Sequence, residues 1–481
     1  MLKTSVAELL SIRYEKRLLI FDLGEFWELF DYAKLLRSEG FQVYYYHDVE
    51  SFRLLFETEI RNTSNKCAVI VNEDRYVPYD IRSTFYEVVL SIPALFPKLD
   101  EAVILKSKAD LGIISFTYNE VFVDKLSAAQ TQDFIEDKVF NLLNVRNYCE
   151  LVLASVFQEI SAIAISYSQW FEIAKLKASL EVYEARVGIR IDMSFVDEAF
   201  INFLLDDYKK LSGYVSGTAP VILPKVLDFI AKDRTALIVM DGMSLFDFNI
   251  LSRYFDGIEY EFYCTYALIP TTTAISRQCL LSGKYPVQLE SPFTLGKEEK
   301  EFYDSAARQG FNRQQTAYIN GYDVRIGPFT KLLAIVLNDI DDIAHSQKQG
   351  RQGMFNDITL LAKSSKLQQL IRSLYKMGFT VYLTSDHGNT LCKGIGILRN
   401  VGVEAETKAK RMMILKDFAH MSDELIENTI EYPAYYLNKS YRYLICKTGI
   451  SFDSKNDEVI THGGISTDEV IVPFVKIKAV N

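Results

Sequence analysis

What the chain lacks narrows the field first. Its six cysteines (Cys67, Cys149, Cys264, Cys279, Cys392 and Cys446) form no CxxC pair and show no framework spacing. They are therefore expected to be reduced, mostly buried thiols in a cytoplasmic protein. The opening Met1-Leu2-Lys3-Thr4 lacks the apolar core of a signal peptide. The longest apolar stretch, 151–171, is interrupted by Gln158 and Glu159, which makes it a buried helix rather than a membrane span. Positive charge is also short: the net charge is −10 and the isoelectric point about 5.3. That balance excludes a broad grip on nucleic acid, so any such contact must be local. The one basic cluster runs from Lys393 to Lys416 and includes Arg399, Lys408, Lys410 and Arg411. It reads as solvated surface. No internal repeat or low-complexity tract stands out.

What is present describes a globular, soluble chain, with 49% hydrophobic and 24% charged residues. Its 481 residues exceed one core and imply two or three domains. Aromatics reach 13% but are spread through apolar segments, as core residues are. Three regions follow. Residues 1–125 form an N-terminal Rossmann-like α/β domain, with strands at 18–21, 42–46 and 68–71 separated by helices at 25–38 and 49–61. Asp22 ends the first strand, but no glycine-rich phosphate loop follows, so helix capping or solvent exposure accounts for it. Residues 126–211 form a helical region, with helices at 131–143, 147–174 and 195–210, and carry no chemical cluster. A linker-like stretch, 212–220, leads into a second α/β domain at 221–481. Its strands are expected at 235–240, 260–267, 317–319, 332–337, 381–384, 412–415 and 470–477, with a helix at 357–376.

The chain has five histidines, and three of them fall beside strands in this last region. Asp241-Gly242 ends the strand 235–240. Asp341 and His345 are four apart and share a face if they lie on a helix. Asp342 competes for that place, and Asp339 points elsewhere. Asp386-His387-Gly388 follows the strand 381–384, and His462-Gly463-Gly464 precedes the last one. Each pair alone has a bland reading as a turn or a satisfied histidine. Thr273 lies in Pro270-Thr271-Thr272-Thr273-Ala274, at the start of a helix that Gly283 ends. Those threonines could simply cap the helix. A free hydroxyl is a poor nucleophile, but a divalent metal stabilises its alkoxide, and helix N–H groups hold phosphate oxygens. Arg277, one turn on, reaches a non-bridging phosphate oxygen or forms a structural ion pair. Taken together, an oxygen nucleophile with three Asp and three His suits two-metal phosphoryl transfer.

In this order the residues resemble the alkaline phosphatase superfamily, and more closely its PglZ-domain members. The pattern is Asp, then a Thr or Ser nucleophile, then Asp-x-x-x-His, Asp-His and a late His. Asp241, Thr273, Asp341 with His345, Asp386 with His387, and His462 match each step. The resemblance runs from about residue 231 onward and implies an alkaline-phosphatase-like core. Segments 77–80 and 91–97 resemble PglZ proteins of phage-defence loci, which implies an antiviral complex of the BREX kind. It also implies two divalent ions, zinc or else manganese, one held by Asp341, His345 and His462. The other would be held by Asp241, Asp386 and His387, with Thr273 at its open position. The expected activity is zinc-dependent cleavage of a phosphodiester, on nucleotides or nucleic-acid ends. A phosphomonoesterase or phosphomutase is the enzymatic rival, and a metal-stabilised scaffold for other defence proteins is the rival of another class. Two departures stand out. The phosphate-holding Asn of the nucleotide phosphodiesterase branch has no counterpart, with Thr294 at about its distance. The CxPxR pattern of sulfatases is absent. The oligomeric state and the natural substrate are not legible.

Overall fold

A computed structural model of the chain describes residues 2–480 except 25, 27–31, 73–74, 120–124, 163, 397–409 and 417–422. The chain falls into two compact units, Met1–Tyr148 and Cys149–Asn481. The division lies inside one helix, Leu142–Ala162.

The first unit is built on four parallel strands: β1 (Arg17–Asp22), β2 (Gln42–Tyr45), β3 (Cys67–Asn72) and β4 (Tyr86–Leu90). Alternating strands and helices give the expected parallel sheet. Its order is β2-β3-β1-β4, which places β3, not β2, next to β1, unlike the Rossmann order. Asp22 is 1% exposed and accepts hydrogen bonds from Phe26 N and Tyr32 Oη, both at 2.9 Å. It anchors the turn after β1 and is not solvent-exposed. Of the helix expected at 25–38, Tyr32–Ser38 is described, and Glu25 lies outside the described residues.

The second unit opens with helices α1 (Tyr167–Val187) and α2 (Ser194–Asp207). Sequence periodicity runs 147–174 together as one helix, but Ser166 starts a new one. Its hydroxyl accepts from Gln169 N while the Gln169 side chain accepts from Ser166 N, so two orphan donors are satisfied. The main sheet comprises β5 (Thr235–Met240), β6 (Ile258–Tyr266), β7 (Thr316–Asn320), β8 (Leu332–Leu337), β9 (Thr380–Thr384) and a last strand, Ile471–Val480. Between them come α3 (Thr273–Ser282), α4 (Asp339–Ser346), α5 (Gly350–Lys363) and α6 (Lys366–Lys376). The single helix expected at 357–376 is thus two helices. Ser365 sits in the left-handed region at φ 58°, which ends helical bonding there.

Five shorter strands follow β9. They are β10 (Thr390–Gly394), β11 (Met412–Lys416), β12 (Thr429–Tyr432), β13 (Tyr441–Cys446) and β14 (Ile450–Ser451). Then come β15 (Glu458–Thr461) and the last strand, β16. The main sheet is ordered β6-β16-β9-β5-β8-β7, and only β16 runs antiparallel to its neighbours. Strand β5 is buried on both faces. Leu237 and Val239 enter one apolar layer, and Ala236, Ile238 and Met240 enter the other. That double burial explains its unbroken Ala-Leu-Ile-Val-Met run.

Direction is what assembles the site. Strands β5, β6, β8 and β9 all point their carboxyl ends to one edge, where Asp241, Thr273, Asp341 and Asp386 follow them. Strand β16 runs the other way, so its amino end, preceded by His462, arrives at the same edge. The pairing of β10 with β15 fixes the remaining distance. Its register sets Thr390 against Thr461, and so brings the residues just after His387 beside those just before His462.

Candidate active site

The six Asp and His side chains gather into two groups of three, Asp341, His345 and His462 in one and Asp241, Asp386 and His387 in the other. In each group the ligand atoms lie within 4.8 Å of one another. The groups adjoin, because the rings of His387 and His462 stack with centroids 4.1 Å apart. In the first group His345 Nε2 is 3.2 Å and His462 Nε2 3.6 Å from Asp341 Oδ1. The four-residue spacing on α4 does put Asp341 and His345 on one face, as expected. Asp339 faces away and accepts from Tyr322 Oη at 3.1 Å. In the second group His387 Nε2 is 3.5 Å from Asp241 Oδ1 and 3.9 Å from Asp386 Oδ2.

Two tests support a fit to metal ions. The first is tautomeric. His462 Nδ1 donates to Thr271 O at 2.9 Å, and His387 Nδ1 donates to Gly388 O at 3.0 Å. A carbonyl accepts only, so each ring carries a proton on Nδ1 and turns Nε2 toward the site. The second is electrostatic. His462 Nε2 and Asp386 Oδ2 are buried with no hydrogen-bond partner. Burial, and then Asp241 beside it, pushes the Asp386 carboxyl up to about 8. Burial and the neighbouring His387 press the pKa of His462 well below its ordinary value. Asp341 goes the other way: burial opposes its charge, but the hydrogen bond from His345 and the neighbouring His462 ring hold it below the carboxylate range. Imidazole nitrogens facing crowded carboxylates form a donor set that a divalent cation satisfies. Mixed oxygen and nitrogen donors suit zinc or manganese.

Thr273 enters the second group directly. Its Oγ1 is 3.0 Å from His387 Nε2 and 3.5 Å from Asp241 Oδ1. The three threonines before α3 divide their roles. Thr271 Oγ1 donates to Gly464 O and accepts from Gly463 N, which ties the late-histidine loop down. Thr272 holds the N-cap position without a side-chain cap bond, and Thr273 is the first helical residue. Side-chain capping therefore does not explain Thr273. Arg277 donates from NH1 to Asp241 Oδ2 and from Nε to Glu298 Oε2, both at 2.7 Å. It lies against the site as an ion pair and lines a cavity of about 490 Å³ together with Tyr318, Asn320 and Asn338.

Several residues here carried no clear sequence signal. Asn389 is 1% exposed and donates to Gly242 O at 2.9 Å and to Asp247 Oδ2 at 2.6 Å, while Arg351 NH1 donates to its Oδ1. Ser385 donates to Met240 O and accepts from Met243 N. These two residues lace the turn after β9 to the turn after β5. Asn389 could have been noticed from its place two residues beyond Asp386-His387. Asn338 and Asn320 line the cavity at Arg277, whereas Thr294 lines a different cavity, with Pro286 and Tyr441. Arg411 is neither a nucleic-acid contact nor solvated. It is 1% exposed, pairs with Glu469, and donates to Ile450 O and Lys447 O. Arg399 and Lys408 lie outside the described residues.

Gly388 shows how closely this turn is packed. A Cβ there would lie 1.8 Å from Asp468 O and 3.1 Å from Ser244 Cα. Both neighbours are backbone atoms and cannot swing aside. Gly388→Ala is expected to destabilise the second unit by about 3 kcal/mol, the upper part of the usual overpacking range. Denaturant unfolding checks this, and a midpoint unchanged from that of the parent chain would contradict it.

Comparison with known proteins followed the same region. The family model described as the BREX system PglZ alkaline phosphatase-like domain matches residues 223–477, just over half of the chain. No curated protein is similar enough in sequence to match. Among solved structures, the murine ectonucleotide pyrophosphatase/phosphodiesterase 5 is 13% identical with a TM-score of 0.33. The match covers 50% of this chain and 87% of that one. Phosphonoacetate hydrolase from Sinorhizobium meliloti 1021, solved in complex with phosphonoformate, is 10% identical with a TM-score of 0.34, over 51% of this chain and 90% of that one. All six cysteines of the present chain are free and buried, and among the described residues no helix is long and apolar enough to cross a membrane. With its matched domain spanning the whole of the assembled site, the chain belongs to the PglZ family of the alkaline phosphatase superfamily.

Proposed function

We propose that this phosphoesterase-class domain is a two-metal phosphodiesterase that acts on nucleotides or nucleic-acid ends, with Thr273 as its nucleophile. The observation that carries the reading is the position of Thr273 Oγ1, inside the group formed by Asp241, Asp386 and His387 and at the start of a ten-residue helix. Asp341, His345 and His462 would hold one ion, and Asp241, Asp386 and His387 the other. Bound ions supply positive charge that favours the Thr273 alkoxide and offsets charge on the leaving oxygen. The chain's own groups do the rest. Thr273 Oγ1 forms the bond to phosphorus as the leaving oxygen departs on the opposite side, which yields a phosphothreonine that water then hydrolyses. The N–H groups at the start of α3 would receive the phosphoryl oxygens. The cavity at Arg277 receives the remainder of the substrate, and Asn320 and Asn338 offer it amide donors.

The state of Arg277 favours a diester. Its Nε and NH1 are engaged by Glu298 and Asp241, so little positive charge is left to clamp the extra negative charge of a monoester. The chain's net charge of −10 favours a small or end-bound substrate over long duplex. Family membership supports work beside other proteins of a phage-defence system in the bacterial cytoplasm. The deciding assay compares bis-(p-nitrophenyl) phosphate with p-nitrophenyl phosphate under matched zinc or manganese and pH. Diester kcat/KM is expected to exceed monoester kcat/KM by about tenfold, about 1.4 kcal/mol in transition-state binding. Faster monoester turnover would reverse the assignment.

A further inference from the structure

Outside the two metal-ligand groups, the second unit carries an open cleft of about 820 Å³. Its walls come from α1, the turn after α1, the start of α5, β10 and Asp468. Most of its charges are already matched. Lys177, 4% exposed, donates to Glu181 Oε1 at 2.7 Å and to Asp468 Oδ1 at 2.5 Å, and lies 3.6 Å from Asp197 Oδ2. The second oxygen of Asp468 accepts from Thr390 Oγ1 at 3.0 Å and from Arg351 at 3.4 Å. At the rim, Arg190 pairs with Glu458 at 2.9 Å.

One carboxyl group, that of Glu184, remains short of positive charge, and beside it Glu181 keeps one oxygen without a hydrogen bond. Glu181 pairs through Oε1 with Lys177 and stands 3.8 Å from Arg351, but its Oε2 is buried with no hydrogen-bond partner. Glu184, three residues further along the same face of α1, accepts from Ile191 N but makes no ion pair among the described residues. Burial and the charge of Glu181 push its carboxyl up to about 8, against the weaker pull of Lys177 and Arg190. Thr448 Oγ1, on the same lining, is also buried without a hydrogen-bond partner. Beside these polar atoms lie Ala185, Ile189 and Leu391. The glutamates do not form a metal site, since among the described residues the two active-site groups are the only ones that meet that geometry.

We propose that this cleft is a second ligand site, which takes a small organic cation: a protonated amine or guanidinium on a short aliphatic chain. The charge lies between Glu181 and Glu184, and the methylenes lie against Ile189 and Leu391. The cleft volume falls within the range of small-molecule sites. A polar head with an apolar tail matches the lining better than an anion would, because the cations present are already engaged.

The test uses the full chain and three probes of nearly equal shape: butylamine, butylguanidinium and the neutral butylurea. Titration calorimetry at pH 7 is expected to show saturable one-to-one binding of at least one cation and none of butylurea. Because the cation favours the ionised carboxylate, binding is expected to release protons, read as heat that varies with buffer ionisation enthalpy. Glu184→Gln imitates the protonated side chain and should leave the melting temperature unchanged while weakening cation binding at least tenfold. Failure of both cations to saturate, equal binding of butylurea, or unchanged binding by Glu184→Gln would each overturn the proposal. These readouts are heats of binding, so they are independent of whether the active site cleaves diesters.

Discussion

Thr273→Ala is expected to lower diester turnover by about four to six orders of magnitude, the scale seen when a covalent nucleophile is removed. The fold should survive. Thr273 is 3% exposed at the first position of α3, and the helix start does not depend on its side chain. The hydroxyl's contact with His387 is lost, at a cost of about 1 kcal/mol. Metal content should change little, because all six Asp and His side chains remain. Thr273→Ser keeps the hydroxyl and should retain measurable turnover. A structural role for Thr273 makes the opposite forecast, a small loss of stability with chemistry nearly intact. Parallel measurement of kcat and melting temperature separates the two, and near-normal kcat in Thr273→Ala would remove the nucleophile assignment.

Stripping divalent ions with a chelator should abolish diester cleavage and lower the melting temperature together. The second effect follows from the crowding of Asp241 and Asp386, whose mutual repulsion is relieved by a cation. At free metal one hundred times its dissociation constant, each site contributes about 2.7 kcal/mol to stability. Asp386→Asn should reduce bound metal from two equivalents toward one, as counted by elemental mass spectrometry. His462→Ala should remove an equivalent from the other group. Full activity in a sample free of divalent metal would end the two-metal proposal whatever the geometry.

Much of this site could be read in the sequence because it hangs on strand ends. An unbroken apolar run such as 235–240 must be buried on both faces, so the Asp that follows it has to emerge at the sheet edge. The same logic located Asp386. The four-residue spacing of Asp341 and His345 placed them on one helical face. The lacing was harder to see. Asn389 and Ser385 act through hydrogen bonds to backbone atoms nearly 150 residues away, and no periodicity reports that. Strand β10, Thr-Leu-Cys-Lys-Gly, is too short and mixed to announce itself, although its pairing with β15 sets His462 beside His387. Helix breaks at Ser166 and Ser365 were missed because the apolar pattern carries on through each. Arg411 was misread because a lysine- and arginine-rich segment suggests a wet surface, while the partner that buries it, Glu469, lies 58 residues further along the chain.

The reversed strand β16 also sets the order in which the main sheet can be completed. In the main sheet β6, which leads to Thr273, joins the rest only through β16, which lies between it and β9. A chain still being synthesised can form β5, β8 and β9 early, but the nucleophile's strand has no place in the sheet until residues up to about Val475 have left the ribosome. His462 arrives in the same late stretch. A partly made chain would therefore hold Asp241, Asp341, His345, Asp386 and His387 before the strand that leads to Thr273 is paired. The antiparallel strand is thus the piece that closes the sheet, joining the edge that carries Thr273 to the strands that carry the Asp residues.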